Sequence, residues 1–171
     1  STQVQQQQKG QKEQEKETTD EWSIVAKTYT SSLAPAFRPV YVAVADILQS
    51  QHTAKQLLDF GCGPGEPSLT LLDKLTSIRQ VVGVDSAQGM LDIAAQRFKD
   101  KMTKSSKISG ENIEAGHKTA SFQHIARDVT MEDLKSKLGE FTFDVVVSTF
   151  VIQYIEFSRR VDLVRTMLEM A

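Results

Sequence analysis

With 171 residues, 40% of them apolar, the chain is long enough for one substantial core and too short for two. A formal charge of −2, with no run of Lys or Arg, argues against a nucleic acid or an acidic membrane surface as partner. The single cysteine, Cys62, excludes an internal disulfide and fits a reducing, cytoplasmic setting, and no apolar run is long enough to span a bilayer.

Ser1–Asp20 is rich in Gln, then in Lys and Glu, and nearly free of apolar residues. It cannot bury enough surface to offset the entropy of ordering, so a disordered or loosely helical leader is expected, with a domain over residues 21–171. Trp22, Val25, Ala26 and Tyr29 recur at i, i+3, i+4 and i+7, one face of a helix. Pro35 and Pro39 break that pattern, and Tyr41–Leu48 reads as a second apolar helix.

The next stretch organises the rest. Leu57–Phe60 is a short apolar run that ends in Gly61, Gly63 and Gly65, with Pro64 between the last two. Pro67 suits the first turn of a helix on which Leu69, Leu72 and Leu75 share a face, and Gln80–Asp85 is a second apolar strand ending in a carboxylate. A strand, a glycine loop, a helix and a second strand closed by an acid make a nucleoside-cofactor site. A P-loop is excluded because no Lys-Ser or Lys-Thr follows the glycines. A dinucleotide loop requires a third glycine where Glu66 stands, and a carboxylate there would face a diphosphate across the helix N-terminus.

Ser86 is a good N-cap for a helix over Ala87–Lys101, and the polar Thr103–Thr119 reads as a long surface connection. Ser121–Ala126 alternates weakly enough to be a third strand, in which His124 reads as a packed histidine. Thr130 and Asp133 resemble a capping box for a helix through Leu138. Phe143–Phe150 is a fourth strand, with Asp144 in a structural role, and Ser158 is the expected cap of a last helix, Arg159–Met170, on which Val161, Val164 and Leu168 share a face. His52 and His117 have no Cys, Asp or second His at ligand spacing, so no metal site is expected.

The run Asp59-Phe60-Gly61-Cys62-Gly63-Pro64-Gly65, with Asp85 closing the second strand, resembles motif I of the class I S-adenosylmethionine-dependent methyltransferases. The resemblance implies an α/β fold: a doubly wound, mostly parallel, Rossmann-like sheet, of which this is the N-terminal part with strands in the order 3-2-1-4. It implies S-adenosyl-L-methionine as cofactor, held at Asp59, Gly61, Cys62, Gly63 and Gly65, with Cys62 a small residue packed beside the ligand. Asp85 would accept hydrogen bonds from the ribose hydroxyls, against the alternative of a solvated strand end, and Ser86 and Met90 would border the adenine. Asp128 would bond the adenine amino group and Val129 pack on the ring, although Asp128 also reads as a turn residue. Ser148 would lie beside the sulfonium, with Phe150 and the Gln153-Tyr154 pair next along. Tyr29 would close over the methionine end, or else be a core tyrosine with a satisfied hydroxyl.

Many members of that family carry His where Gln153 stands, and Gln cannot act as a general base. No catalytic residue is named on this reading. The expected activity is methyl transfer, and the leader resembles those of small-molecule methyltransferases, so a small-molecule acceptor is expected. A non-catalytic S-adenosylmethionine-binding module and, less favoured, an NAD(P)-dependent oxidoreductase are the other two classes. The family's sheet has seven strands and four are read here, so the expectation is a fragment, or a fold whose open fourth strand is covered by a dimer mate or partner chain.

Overall fold

The computed structural model describes residues 21–50, 53–109, 118–125, 131–139 and 142–171. The leader Ser1–Asp20, His52, His117, Asp128, Val129 and Thr130 lie outside the described residues.

Four parallel strands form one sheet in the order β3-β2-β1-β4. They are β1 (Gln56–Phe60), β2 (Gln80–Asp85), β3 (Thr119–His124) and β4 (Val145–Val147). Register pairs Leu57 with both Val81 and Val145, so β1 is central. Successive side chains of a strand point to opposite faces, and both faces here are apolar. Leu57, Val81, Val145 and Val147 enter one core with Ala45 of α3 (Arg38–Leu48) and Leu71 and Leu72 of α4 (Ser68–Lys74). Phe98 of α5 (Gln88–Ser109) packs against that same core. Leu58, Phe60, Val82 and Val84 enter the opposite core with Leu134 and Leu138 of α6 (Met131–Leu138) and Met170 of α7 (Arg160–Met170). The sheet is therefore doubly wound, as expected. Leu57 and Leu58 are both fully buried, on opposite faces, and truncating either to Ala would cost about 3 kcal/mol.

Asp144 carries out the structural role expected of it: its Oδ2 accepts the Lys55 and Gln56 N–H groups at 2.7 and 2.8 Å, stapling the start of β4 to the start of β1. Those two bonds hold its carboxyl below the usual carboxylate range.

Several boundaries differ from expectation. Residues 21–28 are α-helical (α1), but Pro35 does not end the helical path: a π-turn over Tyr29–Leu33 leads directly into α2 (Ala34–Ala36). Pro35 and Pro39 each occupy a first turn, where their missing N–H has no intrahelical partner to lose, so α3 starts at Arg38 and not at Tyr41. Val25 is exposed, while Ala26 carries the buried face of α1. Helix α5 extends to Ser109, well past Lys101, because Lys, Ser and Thr continue a helix that already has a packed first half. Strand β3 starts at Thr119, two residues early. Strand β4 is only three residues long, because the chain turns out of the sheet at Ser148 and Phe150 takes a left-handed backbone, φ 58°. Ser158 falls within a 3₁₀ turn (Phe157–Arg159), and Arg159 holds the N-cap of α7. Val161, Val164 and Leu168 do share a face of α7, and that face is exposed.

Candidate functional site

The ends of β1, β2 and β4 open on one side into a cavity of about 230 Å³. The glycine loop makes its floor. Gly61 N and Cys62 N both donate to Val84 O, at 2.8 and 3.0 Å, so the chain leaves β1 by crossing the end of β2. Gly61 has φ 72°, and a β-carbon there would stand 2.1 Å from Val151 Cγ2; only glycine lets the segment after β4 close onto the loop. Gly63, φ 49°, also lines the cavity, and a β-carbon on it would meet nothing within 4 Å. The space beside Gly63 is open for a ligand to approach the backbone.

Asp85 stands at the end of β2 and lines the cavity. Its Oδ2 accepts Gly63 N–H at 2.8 Å and its Oδ1 accepts Ala87 N–H at 2.9 Å. Burial raises its pKa, and these backbone bonds work against that rise by favouring the ionised form. Each carboxylate oxygen has a further lone pair for a ligand hydroxyl. At this helix end the carboxylate of Asp85 meets the Ala87 N–H, in place of the cap expected from Ser86. The Ser86 carbonyl lies 3.0 Å from His124 Nε2; a carbonyl only accepts, so Nε2 carries the proton. His124 is thus an exposed ring tied to a loop carbonyl and not a packed one.

Two carboxylates flanking the glycines, Asp59 on β1 and Glu66 after the loop, do not line the cavity. Asp59 is fully buried; its Oδ2 accepts Ser68 Oγ–H at 2.6 Å and Ser68 N–H at 3.3 Å, which fixes the start of α4 to β1. Burial pushes its pKa up to about 7. Glu66, expected to confront a ligand's charge, instead pairs with Arg97 Nη2 at 2.9 Å and accepts Thr70 Oγ1–H at 2.9 Å. Arg97 also donates to Pro64 O at 2.6 Å, so the α5 guanidinium both neutralises Glu66 and holds the loop. Glu66 therefore does not face the cavity, and among the described residues no Lys or Arg lines it.

The remaining walls come from the leader and from the segment after β4. Ser23 Oγ accepts the Gly89 N–H at 3.0 Å, and Ala26 packs on Ala87 and Met90, so α1 lies across the start of α5. This brings Trp22 to Tyr29 and to Tyr154, with centroids 6.0 and 5.3 Å apart and rings nearly perpendicular. Phe37 stacks on Phe150 at 4.3 Å. Burial raises the pKa of Tyr29, and the neighbouring Tyr41 works against that rise.

Of the residues singled out in the sequence, Tyr29, Gly61, Gly63, Asp85, Ser86, Met90 and Phe150 line the cavity together. Asp59, Cys62, Gly65 and Ser148 stand behind that lining. Cys62 is buried with its thiol pushed up by burial, and Sγ lies 3.7 Å from Gly63 O. Ser148 Oγ is buried with no hydrogen-bond partner among the described residues. Sequence reasoning did not single out Leu33, Phe37, Ile125 or Val151, which also line the cavity. The one available signal was Phe37 itself, a large apolar residue placed between two helix-starting prolines. Among the described residues there is no cluster of His, Cys, Asp and Glu that could hold a metal ion, and no helix is long and apolar enough to cross a membrane.

A family model described as a methyltransferase domain matches residues 58–171. No curated protein matches the sequence. Among solved structures, the chain is similar to magnesium protoporphyrin IX methyltransferase from Synechocystis PCC 6803, solved with bound SAH, at TM-score 0.55 and 15% identity over 78% of this chain and 51% of that one. It is similar to a candidate S-adenosyl-L-methionine-dependent methyltransferase from Methanococcus maripaludis at TM-score 0.55 and 18% identity, over 86% and 58% of the two chains. It is also similar to the small RNA methyltransferase HEN1 at TM-score 0.55 and 23% identity, over 74% and 14%. At these identities the likeness is one of fold. The chain spans about half the length of the first solved structures it matches.

Proposed function

The chain belongs to the methyltransferase domain family, and from that premise we propose that it binds S-adenosyl-L-methionine and passes the methyl group to a small-molecule acceptor. One observation supports this above the others: a single cavity is floored by the open backbone of Gly63, walled by the Asp85 carboxylate and, among the described residues, without a cation for a phosphate.

The residues present fit a phosphate-free nucleoside. Asp85 retains lone pairs for two ribose hydroxyls, Met90 and Ile125 give apolar surface for a base, and the unpartnered Ser148 hydroxyl lies at the end of β4. When bound, the cofactor supplies an electrophilic methyl on a sulfonium. The protein's part is to hold the acceptor in line and to exclude water, and positioning alone can supply much of the acceleration. Gln153, on the cavity wall, can orient an acceptor but cannot take its proton. A cytoplasmic setting belongs to this reading, as does the absence of a nucleic-acid partner; both rest on composition, and HEN1, a relative in fold, is a small RNA methyltransferase.

Calorimetric titration with S-adenosylhomocysteine, beside NADH, tests the reading. Saturable binding of the first alone is expected. Binding of NADH alone would replace it with an oxidoreductase, and affinity for the cofactor with no turnover of any acceptor would leave a binding module.

A further inference from the structure

We propose that the outer half of the cavity takes an uncharged, largely apolar small molecule as acceptor, and rejects one that carries phosphate. The inference rests on the methyltransferase reading for the word acceptor, but not for the chemistry of the pocket.

The cavity divides by chemistry. Its inner half is backbone and carboxylate: Gly61, Gly63, Asp85 and Ser86. The part walled by the leader and by the segment after β4, its outer half, is mainly aromatic and aliphatic, lined by Trp22, Tyr29, Leu33, Phe37, Phe150 and Tyr154. These side chains come from two distant parts of the chain, and the Trp22–Tyr154 and Phe37–Phe150 ring contacts join the two walls. Water gains little from such walls, so an apolar ligand would be favoured there by the surface it removes from solvent.

Charge points the same way. Among the described residues, Asp85 is the one lining residue with a carboxyl, ammonium or guanidinium group. The guanidinium of Arg160, near the outer wall, faces the back of the 152–155 turn. Its Nε donates to Ile155 O at 3.0 Å, its Nη2 lies 3.4 Å from Gln153 O, and its carbon sits 5.6 Å from the Phe157 ring centroid. An acceptor phosphate would enter a mainly apolar pocket in which no cation stands among the described residues and the Asp85 carboxyl lies at the base. Phosphate recognition relies on Lys, Arg or a run of backbone N–H groups, and among the described residues the outer half offers none of the first two. The polar groups it does offer, the Tyr29 and Tyr154 hydroxyls and the Gln153 amide, are neutral and suit a single hydroxyl or carbonyl on the ligand.

The same ring in three charge states tests this. The protein is saturated with S-adenosylhomocysteine where that binds, and titrated by calorimetry with 2-naphthol, 2-naphthyl phosphate and (naphthylmethyl)trimethylammonium. Naphthol is expected to bind, and the phosphate to bind at least roughly tenfold more weakly, the penalty of an unpaired anion beside a carboxylate. Tyr154→Ala, at a site 55% exposed and so tolerant of truncation, should weaken naphthol by roughly tenfold. Leu33→Lys, at a site 49% exposed, should rescue the phosphate and make its binding salt-dependent.

Phosphate binding equal to or tighter than naphthol would overturn the proposal, as would tightest binding of the ammonium, which would make the pocket a cation cage. Failure of naphthol to bind up to millimolar concentration would overturn it as well. A single-stranded RNA oligonucleotide that displaces naphthol would do the same. Loss of S-adenosylhomocysteine binding with the naphthol pattern intact would instead sink the cofactor reading and leave the apolar pocket standing.

Discussion

The two ends of this sheet use the same side chain for opposite purposes. At the amino end, Asp144 accepts two backbone N–H groups, is exposed, and has its pKa lowered by them. At the carboxyl end, Asp85 also accepts two backbone N–H groups, but burial dominates and its pKa rises. The first arrangement is a finished staple. The second keeps a desolvated carboxyl beside an open cavity, the arrangement that the proposed ligand would complete. Counting hydrogen bonds does not separate the two; the surroundings do.

The loop glycines sharpen this contrast and carry the largest expected effect. Gly61→Ala places a methyl 2.1 Å from Val151 Cγ2 on a left-handed backbone, and should cost roughly 3 kcal/mol in denaturant unfolding. Gly63→Ala has the same handedness but free space around it, so its stability cost should be only about 1 kcal/mol. Ligand affinity should nevertheless fall sharply, because the methyl occupies the approach to the backbone. If the two variants are destabilised equally, the division between a packed and an open half of the loop is wrong.

The buried Asp59 gives a pH signature. Its folded pKa, about 7, lies above the roughly 3.9 of an unfolded aspartate, so the folded state binds the proton more tightly. Its contribution is fully present below pH ~4 and is lost as pH rises through ~7. Asp59→Asn should flatten the stability profile across that window, measured by urea unfolding at each pH. Asp144 has the opposite sign: its lowered pKa gives stability present above the unfolded value and lost in acid. Asp144→Asn should cost only about 1 kcal/mol at neutral pH, since the carboxylate is exposed and its bonds compete with water.

The parts legible in the sequence were those fixed by local pattern. The β1–loop–α4–β2 unit follows from Leu57–Phe60, three glycines and an acid within one short stretch, and the order 3-2-1-4 follows from the family that stretch resembles. The structural role of Asp144 is legible too, since it opens an apolar strand. The parts that were not legible depend on contacts between distant residues. Nothing local to Glu66 announces Arg97, and nothing local to Phe37 announces Phe150. Pro35 and Pro39 look like breakers until their first-turn positions are seen. The exposed apolar face of α7 has the same helical period as a buried one, so period alone could not tell them apart.

The most direct test of the central claim compares the two carboxylates in one ligand assay. S-adenosylhomocysteine is titrated calorimetrically into the wild-type chain, Asp85→Asn and Asp144→Asn, with unfolding curves run on the same samples. Loss of two charge-assisted hydrogen bonds should lower the affinity of Asp85→Asn by roughly a hundredfold, while Asp144→Asn binds as the wild type does. Equal affinity in all three would contradict the account, since Asp85 would then be a second staple and the cavity would not be a nucleoside site.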